Sequence, residues 1–516
     1  MVKFLGIRKP DNVPGSAGPA IVIGIFVAFG GILFGYDTGS INGILGMDYF
    51  QKEFATEFQD NGEWKLSSGQ TSLVVSILSL GTFFGALTAA PTADVLGRRL
   101  GLVASCAIFS VGVALQTAAT AIPLFAAGRA IAGFGVGIVS AIVPLYQSES
   151  APKWIRGTIV GAYQLAITIG LLLAACVNQA THEMPTKASY RIPVALQFLW
   201  AAILAGGMLA LPETPRYLIK KDRYEDALKS LGKLRKLDPN HESVKAELDE
   251  IKANYEHELS IAGGTGYADL FKGRNRYRLF VGCGIQVLQQ LTGVNFIFYY
   301  GTTFFKSTGI KNPFLIGLTT NLVNVVSTVP GMYLVERIGR RQLLLMGAAG
   351  MFICQYIVAI VGVTTESDVA NKVLIAFVCF YIFFFASSWG PVGWVYTGEL
   401  YSLKTRAKSL SISTAANWLL NFAIGYATPY LVDEGKGNAN LGAKVFFVWG
   451  SCCAVCFIFV WFFVYETKGH SLEAIDEMFE ESNLKAWNSS KFVSRRVGQD
   501  EIEHVDVTEK KNHSEA

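Results

Sequence analysis

The chain has 516 residues, of which 51% are hydrophobic and only 16% charged, with a formal net charge of +4. Soluble proteins carry about 25% charged residues, so this balance excludes a disordered, fibrous or disulfide-rich secreted chain and argues against a single soluble enzyme domain. Lys and Arg are scattered between apolar blocks rather than gathered in a patch, which gives no surface for a nucleic acid.

The N-terminal segment, 1–17, has charge but no apolar core leading to a cleavage site, so the run that begins near Gly18 reads as a retained span. Twelve apolar runs follow, with limits near 18–42, 69–93, 101–120, 122–148, 158–180, 192–211, 279–301, 313–335, 343–364, 373–398, 410–431 and 445–465. Most reach the roughly 20 residues that a helix needs to cross a bilayer. They are too long and too continuous for the alternating strands of a barrel. Between spans six and seven lies a polar stretch, 213–277, with amphipathic helical segments at Tyr224–Leu237 and Ser243–Leu259. The tail, 485–516, is charged and is expected to be disordered. The organisation is therefore a segment 1–17, a six-helix bundle 18–212, a helical domain 213–277, a second bundle with its following helix 278–484, and the tail. The fold class is an all-α membrane protein of twelve transmembrane helices in two pseudo-symmetric bundles.

Lys and Arg set the orientation. One set of loops holds Arg98, Arg99, Lys153, Arg156, the stretch from Arg216 to Arg278, Arg337, Arg340, Arg341, Lys404, Arg406 and Lys408, and the other set holds far fewer. The basic set is expected to be cytoplasmic, with both termini inside. The sequons at Asn488 and Asn512 would then carry no glycan. The eight cysteines sit inside apolar runs, fit no zinc or disulfide spacing, and read as small core residues.

The halves share signposts. Asp94-Val-Leu-Gly-Arg98-Arg99 is matched by Glu336-Arg-Ile-Gly-Arg340-Arg341, Glu149 and Arg156 by Glu399 and Arg406, and Glu213-Thr, leading to Arg216, by Glu466-Thr, at offsets of 242, 250 and 253. Two parallel repeats of six helices imply a rocking secondary transporter with its substrate site at the midplane. Acid and base at these inner helix ends are expected to pair as a gate that holds the inner side shut and breaks when it opens. The alternative is that the basic residues only anchor topology.

Two charges lie inside the spans of the first half, Asp37 and Arg129, at comparable depth in the outer half of the membrane. Intramembrane charge is costly and usually paired. A carboxylate that alternates between a proton and an Arg is a coupling switch; a static pair is the alternative. The second half offers amides instead. Gln286, Gln289 and Gln290 share one face of span seven, followed by Asn295, Tyr299 and Tyr300. Asn321 and Asn324 lie in span eight, Trp394 in span ten, Asn417, Trp418 and Asn421 in span eleven, and Gln164 in span five. Amides donate and accept, as a polyhydroxylated ligand requires, and Trp offers a face to a sugar ring. Asn295 is nine residues from Gln286, so a straight helix would turn it away. Gly293 is expected to break the helix there, leaving Tyr299 and Tyr300 on a mobile outer piece.

At these residues the chain resembles a sugar porter of the major facilitator superfamily, from about residue 20 to 480. The motifs are DVLGRR (94–99), GRAIAGFGVG (128–137), PLYQSE (144–149), PETPR (212–216), QQLTGVNFIFYYG (289–301), VERIGRR (335–341) and ETKGHSLEAID (466–476). FGYDTGSING (34–43) and WGPVGWVYTGELY (389–401) are similar to fungal hexose transporters. The resemblance implies a cytoplasmic helical domain around 213–277. It also implies sugar contacts at Gln164, Gln289, Gln290, Asn295, Asn324, Trp394 and Asn417. Proton-coupled members are similar in having Asp at 37 and Arg at 129, but some fungal facilitators carry that Asp too. Tyr465 stands where many relatives have Pro, which should alter the end of span twelve and not the sugar site. Ala386 stands where many animal relatives have Glu.

The expectation is a plasma-membrane monosaccharide importer working by alternating access and not an enzyme, since no span presents a Ser/His or Cys/His constellation, all six histidines lie outside the spans, and no glycine-rich phosphate loop follows a strand pattern. It is expected to be monomeric, with a proton as co-substrate and the bilayer as solvent, and with no cofactor, metal or nucleic acid. A facilitated-diffusion uniporter and a non-transporting sugar sensor are the alternatives, the short tail speaking against the sensor.

Overall fold

The computed structural model describes residues 15–58, 64–152, 156–262, 267–310, 312–364, 367–402, 405–433, 437–468, 470, 475, 477–479 and 484–492. The first span is two helices in line, α1 (Gly18–Val27) and α2 (Phe29–Gly46). A short α3 (Asp48–Phe54) and a two-residue antiparallel pairing of β1 (Glu57–Phe58) with β2 (Trp64–Lys65) lead to α4 (Ser68–Val95). That helix opens on a capping box between Ser67 and Gln70. The first half continues with α5 (Arg98–Ala118), α6 (Ile122–Ser150), α7 (Arg156–Thr181), α8 (Ala188–Ala195) and α9 (Gln197–Ala210).

The polar insert is helical, with α10 (Pro215–Lys220), α11 (Tyr224–Arg235) and α12 (Glu242–Ala262) around a small apolar cluster that includes Leu218, Leu231 and Leu248. Arg235 fixes it to the first half: its guanidinium donates twice to Glu247, at 3.0 and 2.6 Å, and once to the Ser150 carbonyl at the end of α6, at 3.1 Å.

The second half contains α13 (Gly273–Leu291), α14 (Val294–Ser307), α15 (Pro313–Ile338), α16 (Arg340–Thr364), α17 (Asp368–Phe384), α18 (Gly390–Leu400), α19 (Arg406–Val432) and α20 (Val445–Phe463). A π turn, Phe385–Trp389, joins α17 to α18. Among the described residues ten helices are long and apolar enough to cross a membrane. The other two expected spans are the interrupted α13–α14 and α19, where Asn417 and Asn421 lower the hydropathy.

Packing reproduces the repeat. In the first half α2 packs on α7, α4 on α6 and α5 on α9; in the second α13 packs on α19, α15 on α17, and α16 on α20. The halves meet through α4 against α19 and α15 against α7, two contacts that the same pseudo-symmetry exchanges. Outward faces carry bare apolar side chains such as Phe84, Val111, Val326 and Ile353, as lipid contact allows.

Two expectations need correction. The tail is not irregular from residue 485, because Ala486–Lys491 forms a 3-10 helix against the bundle; residues beyond 492, with Asn512, lie outside the described residues. The cysteines are all unpaired, but only Cys106, Cys354, Cys453 and Cys456 are buried, and Cys176 is exposed. In lipid a small apolar residue needs no protein core.

Candidate functional site

Gly293 breaks the seventh span as the residue spacing demands. Its φ is +86°, and it starts α14 two residues after α13 has ended. The Thr292 carbonyl freed by the break accepts from Gln355 Nε2 at 2.8 Å and from the Tyr381 hydroxyl at 2.9 Å, which makes irregular backbone tolerable at this depth. The break swings Asn295 back, and its Nδ2 donates to Gln290 Oε1.

Around that bond the amides close on one another. Asn417 Nδ2 donates to Gln286 Oε1 at 2.7 Å and to Gln289 Oε1 at 3.0 Å. Gln290 Nε2 donates to Asn417 Oδ1 at 3.0 Å, and Asn421 Nδ2 donates to Gln290 Oε1 at 3.1 Å. Gln286 Nε2 reaches Thr397 Oγ1 at 3.2 Å. Gln289 Nε2 donates to the Trp389 and Gly390 carbonyls at 2.7 and 3.2 Å, where the π turn meets α18. All six amides, Asn295 included, are buried. They belong to one half, but two contacts extend to the other. Ser79 on α4 donates to Asn421 Oδ1 at 2.6 Å, and Gln164 on α7 lies beside Gly390. Phe34 on α2 meets Trp418 on α19 edge-on, with ring centroids 5.4 Å apart.

Not every expected site residue joins this network. Asn324 is buried on α15, and among the described residues the hydrogen bonds of the cluster do not reach it. Trp394 is 37% exposed on α18, beside the Gly393 carbonyl that Gln286 approaches at 3.5 Å. Thr397, Ser79 and Trp389 are partners that the sequence-based set does not contain, whereas Asn421, one turn beyond Asn417, is among the amides read from span eleven.

Asp37 and Arg129 meet at 3.4 Å, both essentially inaccessible. The pair is under-satisfied. Asp37 Oδ2, Arg129 Nε and Nη2, and both amide atoms of nearby-helix Gln116 have no hydrogen-bond partner among the described residues. A route of packed atoms leads from here to the amides. A Cβ at Gly133, one turn from Arg129, would lie 2.2 Å from the Leu78 carbonyl, and Leu78 adjoins Ser79.

At the end that carries the Lys- and Arg-rich loops, called here the basic end, both halves build the same joint. Arg98 forks onto Glu149 at 3.1 and 2.9 Å, and Arg340 forks onto Glu399 at 3.2 and 2.8 Å. Thr214 Oγ1 donates to Glu149 at 2.5 Å, and Thr467 Oγ1 to Glu399 at 2.8 Å. Glu213 accepts the Arg99 N–H at 3.0 Å; Glu466 accepts those of Arg340 and Arg341 at 2.8 and 3.0 Å. These carboxylates cap helix N-termini, where the dipole favours them. Gly97 and Gly339 make room, with φ of +90° and +104° and a would-be Cβ only 2.5 and 2.6 Å from the capping oxygen. Burial raises the Glu213 carboxyl above its ordinary range, against the pull of the Thr214 and Arg99 N–H groups. Asp94 pairs with Lys220 of α10 at 2.8 Å and with Arg98 at 3.6 Å. Arg406 donates to the Tyr401 carbonyl at 3.4 and 3.3 Å, and Arg216 lies on α10. The side chains of Arg156 and Glu336 lie outside the described residues.

Both Arg–Glu forks bridge neighbouring helices at the basic end, as the expected ion pairs do, and each fork lies within one half.

The opposite, or far, end is closed by bonds between the halves. Ser72 Oγ donates to the Tyr426 carbonyl at 2.7 Å, Ser68 Oγ to Asp433 at 3.4 Å, and Asn438 Nδ2 to Ser68 at 2.9 Å. The Thr302 N–H donates to Asn42 Oδ1 at 3.0 Å, and Lys306 pairs with Asp48. Both forks are intact in this far-closed form. Tyr299 and Tyr300 are buried and tie α14 to α19, through Asn421 Oδ1 at 3.0 Å and the Gly425 carbonyl at 2.5 Å. Thr302 and Lys306 bond α14 to the first half, and the sequence reading does not single them out.

The family model "Sugar (and other) transporter" matches residues 23–479. The chain is 56% identical over 508 residues to the major facilitator-type transporter ecdD of Aspergillus rugulosus, covering 96% of this chain and 94% of that protein. It is 53% identical over 498 residues to the probable glucose transporter rco-3 of Neurospora crassa, covering 95% and 84%. A solved structure of the proton:xylose symporter XylE bound to 6-bromo-6-deoxy-D-glucose superimposes with a TM-score of 0.73 at 25% identity, covering 90% of this chain and 100% of that one.

Proposed function

The chain belongs to the sugar (and other) transporter family, and on that premise we propose that it is a plasma-membrane monosaccharide importer working by alternating access with proton symport. The observation that supports this most is the closed circuit of Gln286, Gln289, Gln290, Asn417 and Asn421 at the interface of the halves. Its members have satisfied one another, so a neutral ligand rich in hydroxyls can trade partners with them at little net cost. An ion would need carboxylates or carbonyls, and an anion would need Arg or Lys. The circuit also touches both halves, through Ser79 and Gln164, so a ligand bound here feels their relative position. A relative named a probable glucose transporter and a xylose symporter of the same fold support a hexose or pentose, glucose first.

The basic end faces the cytoplasm in this reading, following the positive-inside rule. Both termini are then cytoplasmic, and the far end faces outside. Asp37 and Arg129 couple the proton. Asp37 presents one oxygen without a hydrogen-bond partner among the described residues, and the single 3.4 Å contact leaves the carboxylate able to exchange Arg129 for a proton. The packed route through Gly133, Leu78 and Ser79 links that exchange to the amides.

The test is uptake of labelled glucose by the purified chain in sealed liposomes under an inward proton gradient. Accumulation above equilibrium that a protonophore abolishes is expected. Asp37→Asn should retain exchange and lose accumulation. Saturable uptake that only equilibrates in the wild type would make the chain a uniporter, with Asp37 and Arg129 a structural pair. Sugar binding without uptake would favour a sensor.

A further inference from the structure

The joint at the basic end is not the same in its two copies. Pro212 of the first half corresponds to Tyr465 of the second. Proline has no N–H, so Tyr146 donates its hydroxyl to the Pro212 carbonyl, at 2.6 Å. In the second half the direction reverses, and the Tyr465 N–H donates to the Tyr396 hydroxyl at 3.2 Å. The residue after it is also held differently. The Glu213 carbonyl accepts from Ser230 Oγ, on α11 of the helical domain, at 2.5 Å. After α20 the described segment 484–492 takes the place of α11. The Glu466 N–H donates to Ser489 Oγ at 2.8 Å, and Ser489 Oγ donates to the Ala486 carbonyl at 2.6 Å. Ser489 is fully buried.

Two aromatic contacts hold the segment down. Trp487 meets Phe462 edge-on at 6.0 Å, and Phe492 meets His470 at 5.7 Å. The Tyr465 ring itself packs on Phe479 at 4.8 Å. The Tyr465 hydroxyl donates to the Leu484 carbonyl at 2.9 Å, a bond that proline at 465 could not make. The carboxylate of the residue so held caps α16 and sits beside the Arg340–Glu399 fork.

We infer that residues 484–492 are a clamp on the second half, with Ser489 and Tyr465 as positioning residues for Glu466. The clamp does for Glu466 what α11 does for Glu213. It joins α16, α18 and α20 into one rigid unit at the basic end, and rocking transport needs each half to move as a unit. Among the described residues the clamp makes no hydrogen bond to the amides on α13, α14 and α19. Its loss therefore slows turnover and leaves sugar affinity alone. This inference rests on the transport reading above.

The experiment compares full-length wild type with Ser489→Ala, Ser489→Thr and Tyr465→Phe in liposomes. Uptake kinetics are measured alongside trypsin cleavage at Lys485, which lies on the segment. Ser489→Ala leaves the Glu466 N–H without its partner, and kcat is expected to fall about tenfold, the size of one unsatisfied buried group. KM should stay within about twofold, cleavage at Lys485 should quicken, and Ser489→Thr, which keeps the hydroxyl, should restore both. Tyr465→Phe should shift both measures the same way by less. Faster cleavage with unchanged kcat would overturn the positioning role, and so would KM moving together with kcat. Unchanged cleavage in Ser489→Ala would overturn the clamp itself. A wild type that takes up no sugar would instead sink the transport reading, while slow cleavage at Lys485 that Ser489→Ala accelerates would still support the clamp.

Discussion

The two halves share a skeleton and differ in chemistry at mid-depth. At the basic end the same Arg–Glu fork, Thr–Glu bond and Glu cap recur within a few tenths of an ångström. Deeper in, the first half carries one buried charge pair with several hydrogen-bonding atoms unpartnered among the described residues. The second carries a neutral circuit whose amides satisfy one another. An under-satisfied charge pair is costly and switchable, whereas a saturated amide circuit is cheap and exchangeable. The repeat supplied two copies of one scaffold, and the copies hold different devices.

The sharpest way to break this contrast is to remove Arg129. Arg129→Leu strands a buried carboxylate, and folding stability should fall by about 3–5 kcal/mol. Thermal melting would show it, and adding Asp37→Asn should recover most of the loss. Two variants that melt alike would mean the pair is not the strained element. Gln290→Ala probes the other half. Gln290 partners Asn295, Asn417 and Asn421, so its loss should cost about 1–3 kcal/mol of sugar affinity, about 5- to 150-fold, in a variant that still folds. Equilibrium binding settles it, and an unaltered affinity would remove Gln290 from the site.

Gly293→Ala tests the broken helix. A side chain at φ +86° costs about 1–2 kcal/mol, and the added Cβ would lie 2.6 Å from the Trp449 ring. Melting should drop by that amount and turnover should slow. Gly301→Ala on α14, where a Cβ finds nothing closer than 3.7 Å, is the silent control.

The smallest effect concerns Asp433 at the far end. Burial raises its carboxyl above the ordinary range, against Lys65 and the Ser68 hydroxyl. A raised value means the closed form binds this proton more tightly than a form in which the carboxyl is hydrated. Closure is therefore favoured as pH falls through the window just above the ordinary carboxylate value, and the bias is lost as pH rises past the closed-form value. Asp433→Asn should flatten the acid limb of closure, read from spin-label distances across the far end. A limb identical to wild type would exclude Asp433.

Much of this was legible in the residues themselves. Span length and hydropathy located the helices, and paired motifs located the repeat. The mismatch between Gln286 and Asn295 on a straight helix called for a break, and Gly293 was the residue able to make it. Other features were hidden because they depend on partners far apart in the chain. No periodicity marks the π turn that presents the Trp389 carbonyl to Gln289, or the pairing of Ser79 with Asn421 across 342 positions. The Arg–Glu forks were visible as charges, but which helices they join required the packing. Ser489 sat in a charged segment whose composition spoke for disorder, and only its buried contacts give it a place.

The interruption at Gly293 has one further consequence. Gln290 ends one helical piece and Asn295 begins the next, so a ligand that grips both spans the joint like a splint across a fracture. On the proposed reading, occupancy would then set the angle between the pieces. The distal piece carries Thr302 and Lys306 to their seats on the first half, 7 and 11 residues beyond Asn295. Filling the site and drawing the far end shut would then be two ends of a single lever, and a sugar too short to bridge the joint would bind without turning it.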